Sequence, residues 1–256
     1  MKALILAGGR GSRLSEETVV RPKPLVEIGG RPIIWHIMNI YAHHGVNEFV
    51  VCAGYKGYLL KEYFANLALH DADVTFDLAR GTATYHDEPA VPWRVTVADT
   101  GLETMTGGRV LRAREYLDPG ETFCLTYGDG VADVDVTASI AFHRSHGRWC
   151  TMTVVRPAAR FGTVAIDGDR VTQVLEKHPA GAPQVNGGFF VLEPAVLDLI
   201  GGDQSVWETD VLGKLAADGQ LAGYQHDGYW QPMDTVWEKE LLDEQWRSGA
   251  APWKVW

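Results

Sequence analysis

Short apolar runs alternate with helical patterns along most of this chain of 256 residues. Residues 4–6 and 49–52 have the continuous apolar character of buried strands, and apolar residues recur at helical spacing between residues 31 and 43. Strands that alternate with helices generally pair in parallel, so the pattern predicts an α/β fold with a largely parallel sheet. No linker, repeat or low-complexity tract interrupts the pattern, and we expect residues 1–256 to form one domain.

The same reasoning predicts the remaining elements. Further strands are expected at residues 74–76, 94–97, 123–127, 152–155 and 188–192, with a hairpin over residues 164–174. Helices are expected at residues 56–67, 107–116, 137–146, 206–217 and 235–248. Residues 80–93 follow neither pattern and are expected to form a loop or edge structure.

The chain is acidic overall but basic near its start. Lys and Arg number 23 against 33 Asp and Glu, and the resulting net charge of −10 disfavours a nucleic-acid-binding protein. Residues 1–31 nevertheless hold six basic and three acidic side chains, which gives that segment a charge of +3. A local basic pocket on an acidic protein suits a small polyanion better than a polymer.

Cysteine content and the apolar start indicate a reducing compartment. Cys52, Cys124 and Cys150 are odd in number and form no CxxC pair, so neither a disulfide framework nor a structural zinc site is expected. The apolar run before Gly8 spans five residues, fewer than the roughly 7–15 of a signal peptide. We therefore expect a cytoplasmic protein with no membrane partner.

The strongest local signal is a glycine-rich loop at residues 6–14, directly after the first predicted strand. Backbone N–H groups in such a loop form an anion nest, and α/β sheets bind ligands beyond the carboxyl ends of their strands. Arg13 adds a guanidinium suited to phosphate. The alternative is a plain glycine-rich turn. The chain has neither GxGxxG nor GxxxxGK[ST], so a dinucleotide dehydrogenase and a P-loop NTPase both fit poorly.

Three further side chains are candidates for phosphate chemistry. Lys23 lies between two prolines, which predict a stiff, extended segment that presents its ammonium to a phosphoryl oxygen, although a solvated loop lysine is the alternative. Asp129 lies between two glycines at a strand end, where it could bind Mg²⁺ or simply form an Asp-Gly turn. Asp234 is a candidate second carboxylate, or the N-cap of the last helix.

Two other features bear on function. The chain contains no Ser-His-Asp, Cys-His or HExxH signature, which agrees with chemistry that needs no protein nucleophile. Six of the nine tryptophans lie from Trp207 onward, and the chain ends Ala-Pro-Trp-Lys-Val-Trp. That aromatic tail is expected either in the core or at a subunit contact.

Together these motifs resemble the sugar-1-phosphate nucleotidylyltransferases. The resemblance rests on the glycine loop, the Pro-Lys-Pro segment, the Tyr-Gly-Asp-Gly turn and Asn186-Gly187-Gly188-Phe189, and it runs the whole length of the chain. The stretch Thr106-Gly107-Gly108-Arg109 and the aromatic tail resemble the cytidylyltransferase branch. This implies a Rossmann-like domain with a mixed, mostly parallel sheet, assembled as a homo-oligomer. The implied reaction, with Mg²⁺, converts CTP and glucose 1-phosphate to CDP-glucose and pyrophosphate.

The resemblance also implies site residues. Arg13 and Lys23 would be catalytic, Asp129 and Asp234 would bind the metal, and the sugar phosphate would be held by Glu176, Lys177 and Asn186. The nucleotide would be bound by Leu6, Ala7, Gly8, Gly9, Gly11, Ser12, Arg13, Lys23, Thr104, Arg109 and Gly128.

The chain departs from the family pattern at several positions near the implied site. Arg10 and Ser12 replace the usual Leu and Thr, His178 is inserted in a Glu-Lys-Pro stretch, and Gln184 replaces an aromatic residue. Another sugar 1-phosphate, or dTTP or UTP, is therefore the alternative substrate. A non-catalytic nucleotide-sugar sensor is the second alternative, but it would be expected to have lost Lys23 or a metal carboxylate.

Overall fold

A computed structural model describes residues 1–87, 91–157, 163–175 and 183–256. Its strands in chain order are β1 (Lys2–Ala7), β2 (Glu27–Ile28), β3 (Arg31–Pro32), β4 (Glu48–Ala53), β5 (Val74–Asp77), β6 (Thr82–Tyr85), β7 (Arg94–Asp99), β8 (Phe123–Tyr127), β9 (Gly130–Ala132), β10 (Cys150–Val155), β11 (Thr163–Asp167), β12 (Arg170–Leu175), β13 (Val185–Leu192), β14 (Leu221–His226) and β15 (Trp230–Pro232).

Seven of these strands form a central sheet in the order β14-β10-β13-β8-β1-β4-β7. β1 pairs in parallel with β4 and β8, and the pairs β4–β7 and β10–β14 are also parallel. β13 runs antiparallel to both of its neighbours, β8 and β10. The predicted mixed, mostly parallel sheet is therefore confirmed.

The α-helices are α1 (Ser15–Thr18), α2 (Ile33–His43), α3 (Gly57–Ala65), α4 (Leu67–Asp71), α5 (Thr106–Arg112), α6 (Val136–His146), α7 (Gly213–Ala217) and α8 (Val236–Arg247). A π-helical turn, Trp207–Leu212, precedes α7. Within the described ranges, no helix has both the length and the apolar character needed to cross a bilayer.

Both faces of the sheet are covered, as expected for parallel strands. Alternate residues of β1 point to opposite faces, so Ala3 and Ile5 pack in the cluster that contains much of α2. Leu4 lies in the other cluster, together with Trp207 and Val211 of the π-helical turn. Burial on both faces explains why the central strands are continuous apolar runs in the sequence.

Several predicted elements differ in detail from the structure. The helix predicted over residues 56–67 ends at Ala65, because Asn66 leaves the helical conformation and its side chain bonds to Glu62 O. The helix predicted over 206–217 is a π-helical turn followed by α7. β14 was not predicted, because its residues Leu221–His226 form neither a continuous apolar run nor a regular alternation of apolar and polar side chains. The predicted hairpin over 164–174 is confirmed as β11–β12.

The aromatic tail belongs to the core. Trp253 is fully buried, and its indole N–H donates to His36 Nδ1 at 3.3 Å. The Trp256 ring lies 5.7 Å from that of Trp35, and Trp246 stacks on Trp253. Of the two alternatives for the tail, the core position is therefore confirmed for Trp253.

A small antiparallel ribbon, β9–β15, determines where the candidate site forms. Its short strands join the segment that follows β8 to the segment that precedes α8. The ribbon continues with a hydrogen bond of 2.8 Å from Met233 N to Asp129 O. Asp129 and Asp234 are thereby brought to the same end of the sheet.

Candidate active site

The glycine loop leaves the carboxyl end of β1 and forms one wall of a cavity. Gly11 has φ 63°, a left-handed conformation that favours glycine. Gly8 lies directly against the Arg109 guanidinium, and a Cβ at that position would overlap it. Glycine is therefore required at these two positions by the conformation and packing of the backbone, in addition to any requirement for ligand binding.

The cavity beside this loop has a volume of about 390 Å³. Every residue predicted to bind nucleotide lines it: Leu6, Ala7, Gly8, Gly9, Gly11, Ser12, Arg13, Lys23, Thr104, Arg109 and Gly128. Asp129 lines it too, as do Met105, Thr106 and Tyr127, which were not in the predicted set. The structure thus brings residues from four separated segments of the chain to one cavity.

Lys23 lies at the centre of the charged part of the site. Its side chain is only 10% exposed, and its Nζ lies 2.6 Å from Asp129 Oδ2 and 2.7 Å from Asp234 Oδ1. The extended conformation predicted for its segment holds for Pro22, but Lys23 itself begins a 3₁₀ turn that runs to Leu25. That turn directs the ammonium inward, so the solvated-loop alternative is wrong.

Arg13 completes a cluster of two cations and two carboxylates. Its Nη1 lies 2.6 Å from Asp234 Oδ2, while its side chain is 73% exposed. Asp234 therefore binds both Lys23 and Arg13. The N-cap of α8 is Thr235, whose hydroxyl accepts from Glu238 N in a capping box, so Asp234 is not the cap.

Arg109 organises the opposite wall of the cavity. Its Nη1 donates to Thr100 Oγ1 at 2.8 Å and to Gly101 O at 2.7 Å, and its Nη2 donates to Leu102 O at 3.3 Å. Burial lowers the pKa of Arg109 from its usual value. These bonds connect residues 100–102 to α5. They therefore hold the backbone that leads to Thr104.

A second cavity of about 300 Å³ adjoins the first. Arg13, Tyr127 and Asp129 line both of them, so the cluster around Lys23 lies where the two meet. Asn186, which is predicted to hold the sugar phosphate, lines the second cavity. Glu176 and Lys177 lie outside the described residues.

Three residues of the second cavity were missed by the sequence analysis. Tyr127 is the last residue of the apolar strand β8 and could have been inferred from its place beside Gly128. Trp230 lies on β15, and its indole N–H donates to Gly187 O at 2.8 Å. Glu208 lies in the π-helical turn and accepts from the Tyr127 hydroxyl at 2.6 Å, a long-range contact with no local sequence signal.

Of the departures from the family pattern, Arg10 and Ser12 belong to the glycine loop beside the first cavity, and His178 lies outside the described residues. Arg10 pairs with Glu103 at 2.6 Å, and both side chains are exposed. Ser12 lines the same cavity, so its hydroxyl remains available there. Gln184 is exposed and donates to Gln225, outside both cavities. The ion pair with Glu103 is a contact of Arg10 that the sequence analysis did not predict.

Comparison with known proteins gives strong matches over the whole chain. The sequence profile of the family described as Nucleotidyl transferase matches residues 2–237. Glucose-1-phosphate cytidylyltransferase from Salmonella typhi is 52% identical over 256 residues and is covered completely, as is this chain. A probable glucose-1-phosphate cytidylyltransferase from Bacillus subtilis is 41% identical, again with full coverage of both chains.

Solved structures show the same fold at much lower identity. HddC from Yersinia pseudotuberculosis superimposes with a TM-score of 0.68 at 22% identity, over 96% of this chain and 99% of that one. An apo UDP-glucose pyrophosphorylase gives a TM-score of 0.69 at 15% identity, over 97% and 98% of the two chains. The arrangement of strands and helices is therefore shared well beyond the similar sequences.

Proposed function

Because this chain belongs to the nucleotidyl transferase family, we propose that it transfers the cytidylyl group of CTP to glucose 1-phosphate. The products are CDP-glucose and pyrophosphate. The proposal agrees with the relatives at 52% and 41% identity, whose names state this activity. It also agrees with the described part of the site, which holds cations and carboxylates and contains no triad-type nucleophile.

The observation that carries the proposal is the place of Lys23. Its ammonium is held by Asp129 and Asp234 at the junction of the two cavities. One cavity is walled by a glycine loop suited to a nucleotide, and the other is small and lined by polar groups suited to a sugar phosphate. A cytidylyl group transferred between ligands in these two cavities would pass beside Lys23.

The reaction is a displacement at phosphorus. A phosphate oxygen of glucose 1-phosphate attacks the α-phosphorus of CTP, and the bond from that phosphorus to the β-phosphate oxygen breaks. Pyrophosphate leaves with the bonding electrons, so the atoms and charges balance without a protein nucleophile. The protein therefore promotes the reaction by aligning the two ligands and by offsetting negative charge.

Arg13 and Lys23 are the groups that offset this charge. Both are paired with Asp234 in the structure, and phosphate oxygens would compete with that carboxylate for the same donors. Lys23 acts as a compact point charge, whereas the Arg13 guanidinium is suited to two oxygens at once. The glycine loop, Thr104, Arg109 and Gly128 hold the nucleotide, and Asn186, Glu176 and Lys177 hold the sugar phosphate.

Asp129 and Asp234 fit the divalent metal that such enzymes generally use. Their carboxylate oxygens both approach Lys23 Nζ within hydrogen-bonding distance, so they converge on one cationic position. Hard oxygen ligands of this kind suit Mg²⁺, which shares its remaining positions with phosphates. When bound, the ion supplies charge neutralisation and orientation of the triphosphate.

The remaining proposals concern assembly and location. We expect a homo-oligomer. The apolar side chains of Trp237, Leu78 and Phe76 are exposed, and contacts between subunits would cover them. We also expect the protein to be cytoplasmic, where CTP is available. Light scattering on the purified protein tests the first expectation, and fractionation of its cells tests the second.

A survey of substrates tests the reaction itself. Pyrophosphate release is measured with each of CTP, UTP, dTTP and GTP against glucose 1-phosphate and several other hexose 1-phosphates. The proposal predicts the highest rate with CTP and glucose 1-phosphate. No release with any pair would refute nucleotidyl transfer and favour a binding protein.

A further inference from the structure

A continuous chain of hydrogen bonds joins the two cavities. The Thr106 hydroxyl donates to Glu208 Oε2 at 3.0 Å, and the Tyr127 hydroxyl donates to Glu208 Oε1 at 2.6 Å. Asn186 Nδ2 in turn donates to the Tyr127 hydroxyl at 3.1 Å. Thr106 lines the first cavity, Asn186 lines the second, and Glu208 is the link between them.

The chemistry of Glu208 suits this link. A carboxylate has two acceptor oxygens, and each receives one hydroxyl proton, so both donors point in fixed directions. The distance from the Tyr127 oxygen to Glu208 lies in the range of strong charge-assisted bonds. Burial and the bond to Glu208 both raise the pKa of Tyr127, so its phenol stays protonated and donates. The phenol oxygen is then left to accept from Asn186.

The position of Glu208 in the fold supports the same role. The π-helical turn Trp207–Leu212 carries it, and such turns are frequent at functional sites. The backbone N–H of Trp207 donates to the Thr106 hydroxyl at 2.8 Å, so the turn and the start of α5 are bonded twice. At the other end, Asn186 Oδ1 accepts from Gly188 N at 2.8 Å, which fixes the orientation of the amide.

We propose that Glu208 is a positioning residue that couples the two cavities. It holds Thr106 beside the nucleotide and, through Tyr127, holds Asn186 beside the sugar phosphate. The inference rests on the proposed function for the identity of the two substrates. Glu208 borders the second cavity, but this role requires no contact between Glu208 and either substrate.

Glu208→Gln tests the coupling, because the amide retains the shape of the side chain but offers a single acceptor oxygen. At most one of the two hydroxyls then keeps its acceptor. The hydroxyl that keeps an acceptor donates to an uncharged oxygen, which is weaker than a carboxylate oxygen. We therefore expect the KM for CTP and the KM for glucose 1-phosphate each to rise, by up to about tenfold. We expect kcat to stay within about twofold of wild type, since Glu208 touches no reacting atom.

Tyr127→Phe tests the two branches of the hydrogen-bond chain separately. It removes only the hydroxyl and keeps the ring that lines the first cavity, so it should raise the KM for glucose 1-phosphate and leave that for CTP unchanged. Adding Glu208→Gln to Tyr127→Phe should raise the KM for CTP but have no further effect on glucose 1-phosphate. Glu240→Gln, an exposed residue of α8 that lines neither cavity, is the matched control and should behave as wild type.

Different measurements test the proposed function and the coupling through Glu208. The wild-type rate with CTP and glucose 1-phosphate tests the proposed function, and the ratios of variant to wild-type KM test the coupling. Glu208→Gln with normal KM values, even if its melting temperature falls, would show a purely structural role and overturn the inference. Additive effects of Glu208→Gln and Tyr127→Phe on the KM for glucose 1-phosphate would overturn it as well.

Discussion

Lys23 and Asp129 are separated by 106 positions in the sequence, yet Lys23 Nζ lies 2.6 Å from Asp129 Oδ2. The same ammonium binds Asp234, so one lysine neutralises much of the repulsion between two carboxylates at the junction of the cavities. A cluster of this kind can exchange its internal partners for phosphates and a cation without a large change in net charge. That exchange is the basis of the predictions about catalysis below.

Lys23→Ala should lower kcat by roughly 10²–10³, the usual loss when one preorganised electrostatic donor is removed. The reason is that, in the proposed reaction, negative charge develops between the two ligands beside Lys23. Steady-state kinetics with both substrates varied measures the effect, and Lys61→Ala, an exposed residue of α3, is the control. A raised KM with normal kcat would show that Lys23 only binds substrate.

Activity should require a divalent ion, and Asp129→Asn should reduce kcat/KM by about 10²-fold or more. A bound ion contributes several kcal/mol of charge stabilisation, and the amide is a much weaker ligand than the carboxylate. Turnover is measured before and after EDTA and after addition of Mg²⁺. Asp218→Asn, which changes an exposed carboxylate beyond α7, should have no effect. Full turnover in excess EDTA would rule out the metal site.

The stability of the fold should fall as the pH drops from about 6.5 to 4 because of His36. Its Nε2–H donates to Ile28 O at 2.9 Å, Trp253 donates to its Nδ1, and burial lowers its pKa from 6.5 to about 4. The unfolded chain therefore takes up a proton below pH 6.5 that the folded protein does not accept until about pH 4. The stabilisation is fully present above pH 6.5, and a loss on the order of 3 kcal/mol is expected across this window.

Denaturant titrations of wild type and His36→Gln at several pH values measure this effect. The variant should have a shallower dependence on pH between 6.5 and 4, because its amide does not titrate. His70→Gln, which changes an exposed histidine of α4, should retain the wild-type dependence. Identical pH dependence in wild type and His36→Gln would show that His36 does not contribute.

The sequence was most informative where the site is built from local patterns. The glycine loop and Asp129 each follow an apolar strand directly, and a strand end in an α/β sheet is a predictable place for a ligand. The partnership of Asp129 with Asp234 was not predictable from spacing, because it depends on the ribbon β9–β15, whose strands are too short to show alternation. The resemblance to a family supplied that pairing instead.

Glu208 shows a second reason why part of the site escaped prediction. Its segment has an apolar periodicity typical of a helix, and nothing local indicates a π-helical turn. The partners of its carboxylate, Thr106 and Tyr127, come from two other segments and meet it only in the folded chain. The tail was ambiguous for a similar reason, since an aromatic cluster in the sequence does not tell whether its partner is the core or another subunit.

Selection of the nucleotide base is difficult to predict from the sequence, because it depends on groups from separated segments of the chain. Cytosine presents an amino donor and an unprotonated ring nitrogen at its pairing edge, whereas uracil presents the opposite pattern at both positions. The walls available to read that edge are the backbone near Leu6 and Gly8 and the segment from Thr104 to Arg109. The Arg109 guanidinium bonds this segment to Gly101 O. A site matched to cytosine would leave two buried partners mispaired with UTP, at a cost of roughly 1–3 kcal/mol each.

The most direct test of the proposed cytidylyl transfer is therefore the ratio of kcat/KM for CTP to that for UTP, measured with saturating glucose 1-phosphate. Two mispaired partners predict a preference for CTP of about 10²-fold or greater, more than an apolar pocket alone would give. dTTP, which shares the pairing edge of UTP, should be discriminated against to a similar degree. Comparable kcat/KM values for CTP and UTP would contradict the cytidylyl assignment.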